Sequence, residues 1–349
     1  MSYPGFSPEY IEAEQKRVNA LPRVLIHIGL FLLTFFMVTI AGVQWYGADP
    51  FELSNLHLGF AYGFSILFFL SAHEFGHYFA ARHHGVVTTL PYYIPFPPNP
   101  FVINFGTLGA VIRTKSPVPS RKALFDIGIA GPIAGFVASV VLLVYGFSHL
   151  PGPEYILRIH PNYDFAVNAS HSPSGIPLEF GNTILYGALQ NLLTNPAHQF
   201  VPPLSEMYHY PFLCVGWFGL FVTAMNLIPI GQFDGGHILY TMSDRHHGVI
   251  SRVAFVVLVL LGLPSILVGL FQVIAPATFA QLSEGILWIE RYSWGGWFLW
   301  GLISYLVIKL DHPPLMDPEP LDRRRVLLGW FSIAIFVVSF SFVPFAIGL

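Results

Sequence analysis

The chain has 349 residues, of which 54% are hydrophobic and only 10% are charged, and its formal net charge is −3. About a quarter of the residues of a typical soluble domain are charged, so this chain cannot cover a water-facing surface of ordinary size, and we expect lipid around most of it. The small negative net charge gives no argument for nucleic acid binding. The single cysteine, Cys214, excludes an intramolecular disulfide framework and a cysteine-based metal cluster.

Apolar stretches long enough to cross a hydrocarbon core of about 30 Å recur along the whole chain. They cover residues 23–44, 56–82, 123–147, 208–229, 250–273, 286–309 and 326–348. The sixth stretch contains Glu290 and Arg291 near its start, so six or seven spans are expected. Residues 1–22 are polar, and the first apolar run is too long for a signal peptide, so it should be an uncleaved span. The predicted fold is an all-α multi-pass membrane protein, with residues 23–349 as one integral-membrane domain.

The basic residues predict how these spans are oriented. With seven spans and a cytoplasmic N-terminus, fourteen of the sixteen Lys and Arg residues fall on the cytoplasmic side, and only Arg158 and Arg291 fall outside. Positive charge collects in cytoplasmic loops, and omission of one span would scramble the bias. The pattern therefore predicts a multi-pass protein, assigned to the cell membrane, whose residues 1–22 form a cytoplasmic segment.

Two connections between the spans are longer than simple turns. Residues 83–122 contain two runs rich in β-branched and aromatic residues, Thr88–Phe96 and Phe101–Arg113, which are separated by prolines. This pattern predicts a short β-hairpin that is apolar enough to dip into the membrane. Residues 149–207 are polar and proline-rich, and have room outside the membrane for short helices only. The histidines in and beside this connection show no metal-ligand spacing: His149, His160, His171, His198 and His209.

The second span ends in the sequence His-Glu-Phe-Gly-His at residues 73–77. Residues four apart lie on one helix face, so the imidazoles of His73 and His77 can reach one metal ion. Glu74 lies beside them, where it can take a proton from water at the metal. Zn²⁺ is the default metal for such a set, because it takes nitrogen and oxygen ligands and leaves a position open.

The depth of this motif in the membrane also indicates that it has a functional role. His77 lies five residues before Arg82, which marks the cytoplasmic boundary, so it is about 7 Å below the interface, and His73 is about 13 Å below it. Ionisable clusters inside a membrane are costly and are functional by default. The metal is therefore expected in the cytoplasmic half of the bilayer.

A catalytic zinc site normally has three protein ligands, and this motif supplies two. The acids near membrane depth are Glu52, Asp126, Asp234, Glu284 and Glu290. Only Asp126 and Asp234 fall on the cytoplasmic side. Asp234 follows the fourth span after Pro229, on a glycine-rich turn that can carry a carboxylate toward the second span. Asp126 is a rival ligand, and Asp234 could instead cap the helix that follows. His237 is expected either to hydrogen-bond a ligand or to face water.

The motif in the second span, followed by Asn-Leu-Ile-Pro-Ile-Gly-Gln-Phe-Asp-Gly at residues 226–235, resembles the site-2-protease family of intramembrane zinc metalloproteases. That family pairs H-E-x-x-H with an N-x-x-P…D-G motif. Gly131-Pro132 resembles its Gly-Pro element, and residues 105–113 resemble its membrane-associated strand. The resemblance covers about residues 56–245, the expected protease core, which the remaining spans at 23–44, 250–273, 286–309 and 326–348 flank.

The resemblance implies that Asp234 is the third ligand, beside His73 and His77, of one Zn²⁺ per chain, with Glu74 as the catalytic base. It implies that Asn226 contacts the substrate or polarises the scissile carbonyl, although a hydrogen-bonding role at the span end is the alternative. The implied partners are membrane-spanning protein substrates in the lipid bilayer, cleaved in regulated intramembrane proteolysis. Neither nucleic acid nor nucleotide is implied, and the oligomeric state is left open.

Two other functions compete with a protease. A metal transporter would need polar residues from the site to the outer face, but residues 62–70 of the second span are nearly all apolar. A non-catalytic chaperone of membrane proteins would not need Glu74, which is intact. Both features favour the enzyme.

Overall fold

The computed structural model describes residues 8–18, 20–97, 104–167, 178–279, 289, 292–315 and 319–347. A short polar helix, α1 (Pro8–Val18), comes first. Within the described residues, four helices are long and apolar enough to cross a membrane: α2 (Leu21–Tyr46), α3 (Leu56–His83), α4 (Arg121–Ser148) and α9 (Asp244–Ile274). The chain is thus a helical integral membrane protein, in agreement with its composition.

Three shorter helices coincide with the remaining predicted spans. They are α7 (Pro211–Asn226), α10 (Gly295–Ile303), which a π-helical turn at Ser304–Ile308 continues, and α11 (Arg323–Ser339). Pro211 suits the first turn of α7 because a helix start leaves that N–H unpaired in any case. Most of the first part of the predicted span 286–309 lies outside the described residues.

The prediction that residues 326–348 form one continuous span is wrong at its C-terminal end. The helix ends at Ser339, and β4 (Phe345–Ile347) then pairs antiparallel with β3 (Leu178–Phe180), which lies in the connection between α4 and α7. Pro344 lacks the N–H that a helix needs. The backbone groups of this segment are therefore paired with a distant strand, which hydrophobicity alone does not reveal.

The predicted β-hairpin after α3 is present. β1 (Tyr92–Pro95) and β2 (Thr107–Val111) pair antiparallel, and an isolated bridge joins Thr88 to Thr114. Residues 98–103, between the strands, lie outside the described residues. β1 packs against α2, whereas β2 has no second strand partner in the described part of the chain. One edge of β2 therefore lacks a strand partner among the described residues, and we call it the free edge; on this strand, Thr107 Oγ1 contacts both the N–H and the carbonyl oxygen of Gly109.

The connection between α4 and α7 contains the expected short helices. They are α5 (Glu154–Ile159), α6 (Ile184–Leu193) and a 3₁₀ turn at Met207–His209, which leads directly into α7. We call the side of the bundle where α3 and α7 end the motif side, and the side of this connection the far side.

Small residues allow the three central helices, α3, α4 and α7, to pack closely. A Cβ on Gly76 of α3 would lie 2.6 Å from the carbonyl oxygen of Ala130 on α4, and a Cβ on Gly216 of α7 would lie 2.6 Å from Leu143 Cγ. Close backbone approach through glycine is typical of helices that associate in membranes. It brings the ends of α3 and α7 together beside α4 on the motif side.

Candidate metal centre

His73 and His77 lie one turn apart near the end of α3, and their Nε2 atoms are 3.1 Å apart. Both side chains are buried. Nδ1 of His77 is 2.7 Å from the carbonyl oxygen of Ile127 on α4. A carbonyl oxygen can only accept, so Nδ1 of His77 donates and its Nε2 keeps a lone pair for a metal.

Two glycines of α4 leave room for these imidazoles. A Cβ at Gly131 would lie 2.1 Å from His77 Nε2, and a Cβ at Gly135 would lie 3.1 Å from His73 Nδ1. Any side chain at position 131 would therefore occupy the space of a potential ligand. This steric requirement accounts for glycine in the Gly131-Pro132 pair that sequence analysis singled out.

The turn between α7 and α8 (Asp234–Met242) carries the carboxylate. Gly231 has a φ of +51°, in the left-handed region that glycine tolerates best. A Cβ at Gly235 would lie 2.1 Å from the carbonyl oxygen of Leu227. The glycines thus let the chain fold back tightly against the end of α7, and Asp234 becomes the first residue of the next helix.

Asp234 faces the two histidines. Its Oδ2 atom lies 3.3 Å from His77 Nε2 and 3.5 Å from His73 Nε2. Phe233 occupies the cap position of α8, and no side-chain cap hydrogen bond is formed there. The alternative role of Asp234 as a helix cap is therefore wrong.

The three donor atoms fit a zinc ion. Zn²⁺ holds nitrogen and oxygen ligands tetrahedrally at about 2.0–2.2 Å, which places neighbouring ligand atoms about 3.3–3.6 Å apart. The separations of 3.1, 3.3 and 3.5 Å agree with this geometry. Two neutral imidazoles and one carboxylate leave a fourth position for water or substrate.

Glu74 and Asn226, the other predicted site residues, border this group. Glu74 is 7% exposed, and the backbone N–H of Ile112, directly after β2, faces its carboxylate. Asn226 is the last residue of α7, and its Nδ2 atom lies 3.5 Å from His73 Nε2. The structure thus brings all five predicted residues to one place.

Asp126, the rival ligand, lies in an ion pair instead. Its two oxygens accept from Nε and Nη2 of Arg325, at 2.8 and 2.6 Å, and its Oδ2 is 2.8 Å from His84 Nε2. These contacts join the end of α3 and the starts of α4 and α11 on the motif side. Glu284 and Glu290 lie outside the described residues.

His237 has a partner that sequence analysis missed. Its Nδ1 atom is 2.8 Å from Nε2 of His312, which stacks on Tyr240 with ring centroids 4.1 Å apart. The partner of His237 at Nδ1 is thus another imidazole rather than one of the candidate ligands. The two residues are far apart in sequence, and no local pattern signals the pair.

The far-side histidines show no metal-ligand spacing in the sequence, but two of them meet in the structure, whereas His171 lies outside the described residues. His160 and His209 meet Glu206 in a second buried cluster. One local signal was available, because Glu206 and His209 are three residues apart, the spacing that places two side chains on one side of a 3₁₀ turn.

Metal-ligand donors and a buried glutamate, held at the end of the membrane-length helix α3 and at the start of α8, are the groups that a metal-dependent hydrolase uses. A comparison with known families is more specific. Residues 60–268 match the model of peptidase family M50, and the chain belongs to that family. Zinc is the cofactor that this family and the names of the chain's relatives imply.

Two curated relatives illustrate the similarity. "Probable zinc metalloprotease EGY2, chloroplastic" of Oryza sativa subsp. indica is 32% identical over 260 residues, which are 72% of this chain and 42% of the relative. "Probable zinc metalloprotease EGY1, chloroplastic" of Arabidopsis thaliana is 33% identical over 187 residues, which are 54% of this chain and 29% of the relative. The matched region thus spans less than half of either relative. No solved structure gives a significant match.

Proposed function

We propose that this chain is an intramembrane zinc metalloprotease that cleaves membrane-spanning segments of other proteins, in regulated intramembrane proteolysis. The observation that carries the proposal is the convergence of His73, His77 and Asp234 beside the buried Glu74, at the ends of apolar helices. Membership of family M50 and the names of the two relatives support it.

Each residue of the site has a role in this proposal. His73, His77 and Asp234 hold one Zn²⁺ per chain, which supplies Lewis acidity and acidifies water toward a pKa of about 7. Glu74 takes the proton from the attacking water and returns it to the leaving nitrogen of the scissile bond. The amide of Asn226 donates to the scissile carbonyl oxygen as negative charge develops on it.

A helical substrate must unwind first, because its carbonyl groups are engaged in hydrogen bonds. We propose that the unwound segment pairs with the free edge of β2, whose C-terminal end reaches Glu74 through Ile112. Leu108 on β2 is 67% exposed, which makes it a suitable reporter. A photo-crosslinking amino acid at Leu108 should capture a membrane-anchored substrate, whereas one at the equally apolar, exposed Val256 of α9 should not. Equal capture at both positions would contradict the pairing.

For the membrane arrangement, we propose seven spans with the motif side facing the cytoplasm. Residues before α2 lie on the motif side, whereas β4 pairs with β3 on the far side. An odd number of crossings is consistent with this separation of the two ends. The two relatives are named chloroplastic, and neither they nor the fold supports the assignment to the cell membrane, so the proposal names the spans and their orientation but no particular membrane.

The competing functions have less support. On the far side of His73, α3 contributes Tyr62, Ile66 and Phe69 to the buried core, whereas a conduction path for metal needs polar groups along its length. A chaperone function does not require Glu74 to be buried beside His73 and His77. Both alternatives predict a protein that does not cleave.

The decisive experiment uses purified protein, a membrane-anchored substrate and Glu74→Gln. The wild type should cleave, and Glu74→Gln should retain zinc but lose cleavage by about 10²-fold or more, since proton transfer contributes about that much. Glu179→Gln, an exposed glutamate on β3, is the matched control and should cleave normally. Metal flux without cleavage would indicate a transporter, and substrate binding without turnover would indicate a chaperone; either result overturns the proposal.

A further inference from the structure

The far side of the bundle holds a second group of metal-ligand side chains. His160 directly follows α5, and Glu206 and His209 lie at the 3₁₀ turn before α7. All three are buried, with exposures of 9%, 3% and 3%. The 16-residue helix α7 separates them from Asn226 and the motif-side site by about 24 Å, so this cluster is independent of the first one.

The geometry of this cluster matches a metal site. Nε2 of His160 and Nε2 of His209 are 2.9 Å apart. Oε2 of Glu206 lies 3.4 Å from the first and 3.6 Å from the second. Two of these separations fall in the range of about 3.3–3.6 Å between neighbouring tetrahedral zinc ligands, and the His160–His209 separation is shorter. The three separations resemble those of the motif-side site.

The hydrogen bonds of the two histidines leave one carboxylate oxygen of Glu206 without a donor. Nδ1 of His209 is 2.7 Å from the carbonyl oxygen of Trp45, at the end of α2, so Nδ1 carries the proton and Nε2 offers a lone pair. A proton on His160 Nε2 is then taken up by the 2.9 Å contact to His209. Oε2 of Glu206 is buried and has no hydrogen-bond partner among the described residues. A buried carboxylate oxygen without a partner is costly, and a cation at the centre removes that cost.

We propose that His160, Glu206 and His209 form a second, structural metal site that takes a divalent transition metal, with Zn²⁺ as the natural occupant. Two imidazoles and one carboxylate are a known zinc ligand set. The ion joins the end of α5 to the turn before α7, and Trp45 orients His209 from α2. The phenol of Tyr163 is buried near Glu206 and also lacks a hydrogen-bond partner among the described residues.

The burial of the ligands indicates a structural site. All three far-side ligands are buried, whereas Asp234 of the motif-side group is only partly buried. Metal binding in the native state stabilises the fold, since the unfolded chain holds no preformed site. The metal therefore secures the far-side connection against the helices that form the protease core.

The test counts metal ions in protein purified in detergent, equilibrated with Zn²⁺ and desalted. The wild type should contain two zinc ions per chain by elemental analysis. Glu206→Gln should contain one, and its amide keeps the shape of the side chain and can hydrogen-bond the histidines. The control Glu154→Gln, an exposed glutamate of the same connection, should still contain two. The double variant His73→Asn/His77→Asn should contain one.

The double variant also separates this proposal from the proposed protease function. Its single remaining ion should show two imidazole ligands by X-ray absorption, and chelation of that ion should lower the melting temperature by several degrees. One zinc ion in the wild type and in Glu206→Gln, with none in the double variant, would overturn the second site, leave the protease proposal intact and identify the cluster as a proton-sharing group. If Glu206→Gln does not fold, the count and ligand set in the double variant decide.

Discussion

Replacement of Gly131 by alanine tests how the fold prepares the motif-side site, because it removes no ligand. An added Cβ would lie 2.1 Å from Nε2 of His77, whereas real Cβ contacts are not shorter than 3.0 Å. The backbone of α4 or the imidazole must therefore move by about 1 Å, since protein interiors are too densely packed to absorb the overlap elsewhere. The imidazole of His77 can rotate more easily than the backbone of α4 can shift, so we expect the imidazole to move.

The expected size of the effect of Gly131→Ala follows from how little the ligand distances vary in metal sites. Ligand distances in zinc sites vary by only about 0.2 Å, so a shift of about 1 Å removes His77 from its position. Zinc affinity should fall by about 10–100-fold, as for loss of a group that orients a ligand. Turnover should fall by about 100-fold even at saturating zinc. Overpacking should also lower stability by about 1–3 kcal/mol.

Two other glycines provide a graded comparison. Gly135→Ala places its Cβ 3.1 Å from His73 Nδ1, an overlap of a few tenths of an ångström, and should have a smaller effect. Gly269→Ala, in α9, meets no atom within 4 Å and should leave zinc affinity and cleavage unchanged. Elemental analysis, cleavage of a membrane-anchored substrate and thermal unfolding would be measured for each. Wild-type zinc affinity and turnover in Gly131→Ala would refute the reasoning.

Two further predictions concern Asn226 and Arg325. Asn226→Ala should lower kcat by about 10²–10³-fold with zinc content and KM nearly unchanged, as expected for a group that acts only on the developing negative charge; a loss confined to KM would contradict this role. Arg325→Lys should destabilise the protein by about 1 kcal/mol in thermal unfolding, because lysine cannot make the bidentate contact with Asp126. The neighbouring Arg323→Lys should be neutral, and equal stability of both variants would count against the ion pair.

The motif-side residues were accessible to sequence reasoning because local rules fix most of their geometry. The i, i+4 spacing alone places His73 and His77 on one helix face. Pro229 and the glycines after it predict a turn. Only the packing of the helices decides whether that turn brings Asp234 to α3. The choice against Asp126 depended on Arg325, whose contact with it joins distant parts of the chain. The spacing therefore predicted the candidate ligands, and the three-dimensional structure selects among them.

The far-side features were missed because they also depend on contacts between residues that are distant in sequence. β3 and β4 pair although almost half of the chain lies between them. The apolar pattern at 326–348 is equally consistent with one helix and with a helix followed by a buried strand. His160 reaches Glu206 and His209 only after α5 folds back toward α7. The three-residue spacing could have predicted that Glu206 and His209 lie close together. No spacing in the sequence predicts that His160 joins them.

Two clusters with nearly the same donor geometry therefore differ in what surrounds them. On the motif side, Glu74 and Asn226 adjoin the donors, and the free edge of β2 leads toward them. On the far side, the donors are closed in, and the backbone carbonyl of Trp45 holds one imidazole from α2. In the functions proposed above, a proton acceptor and a path for an extended chain distinguish the site that cleaves a peptide from the site that only stabilises the fold. Restoring zinc to the far side alone, in His73→Asn/His77→Asn, should therefore recover stability in thermal unfolding but no cleavage of a membrane-anchored substrate.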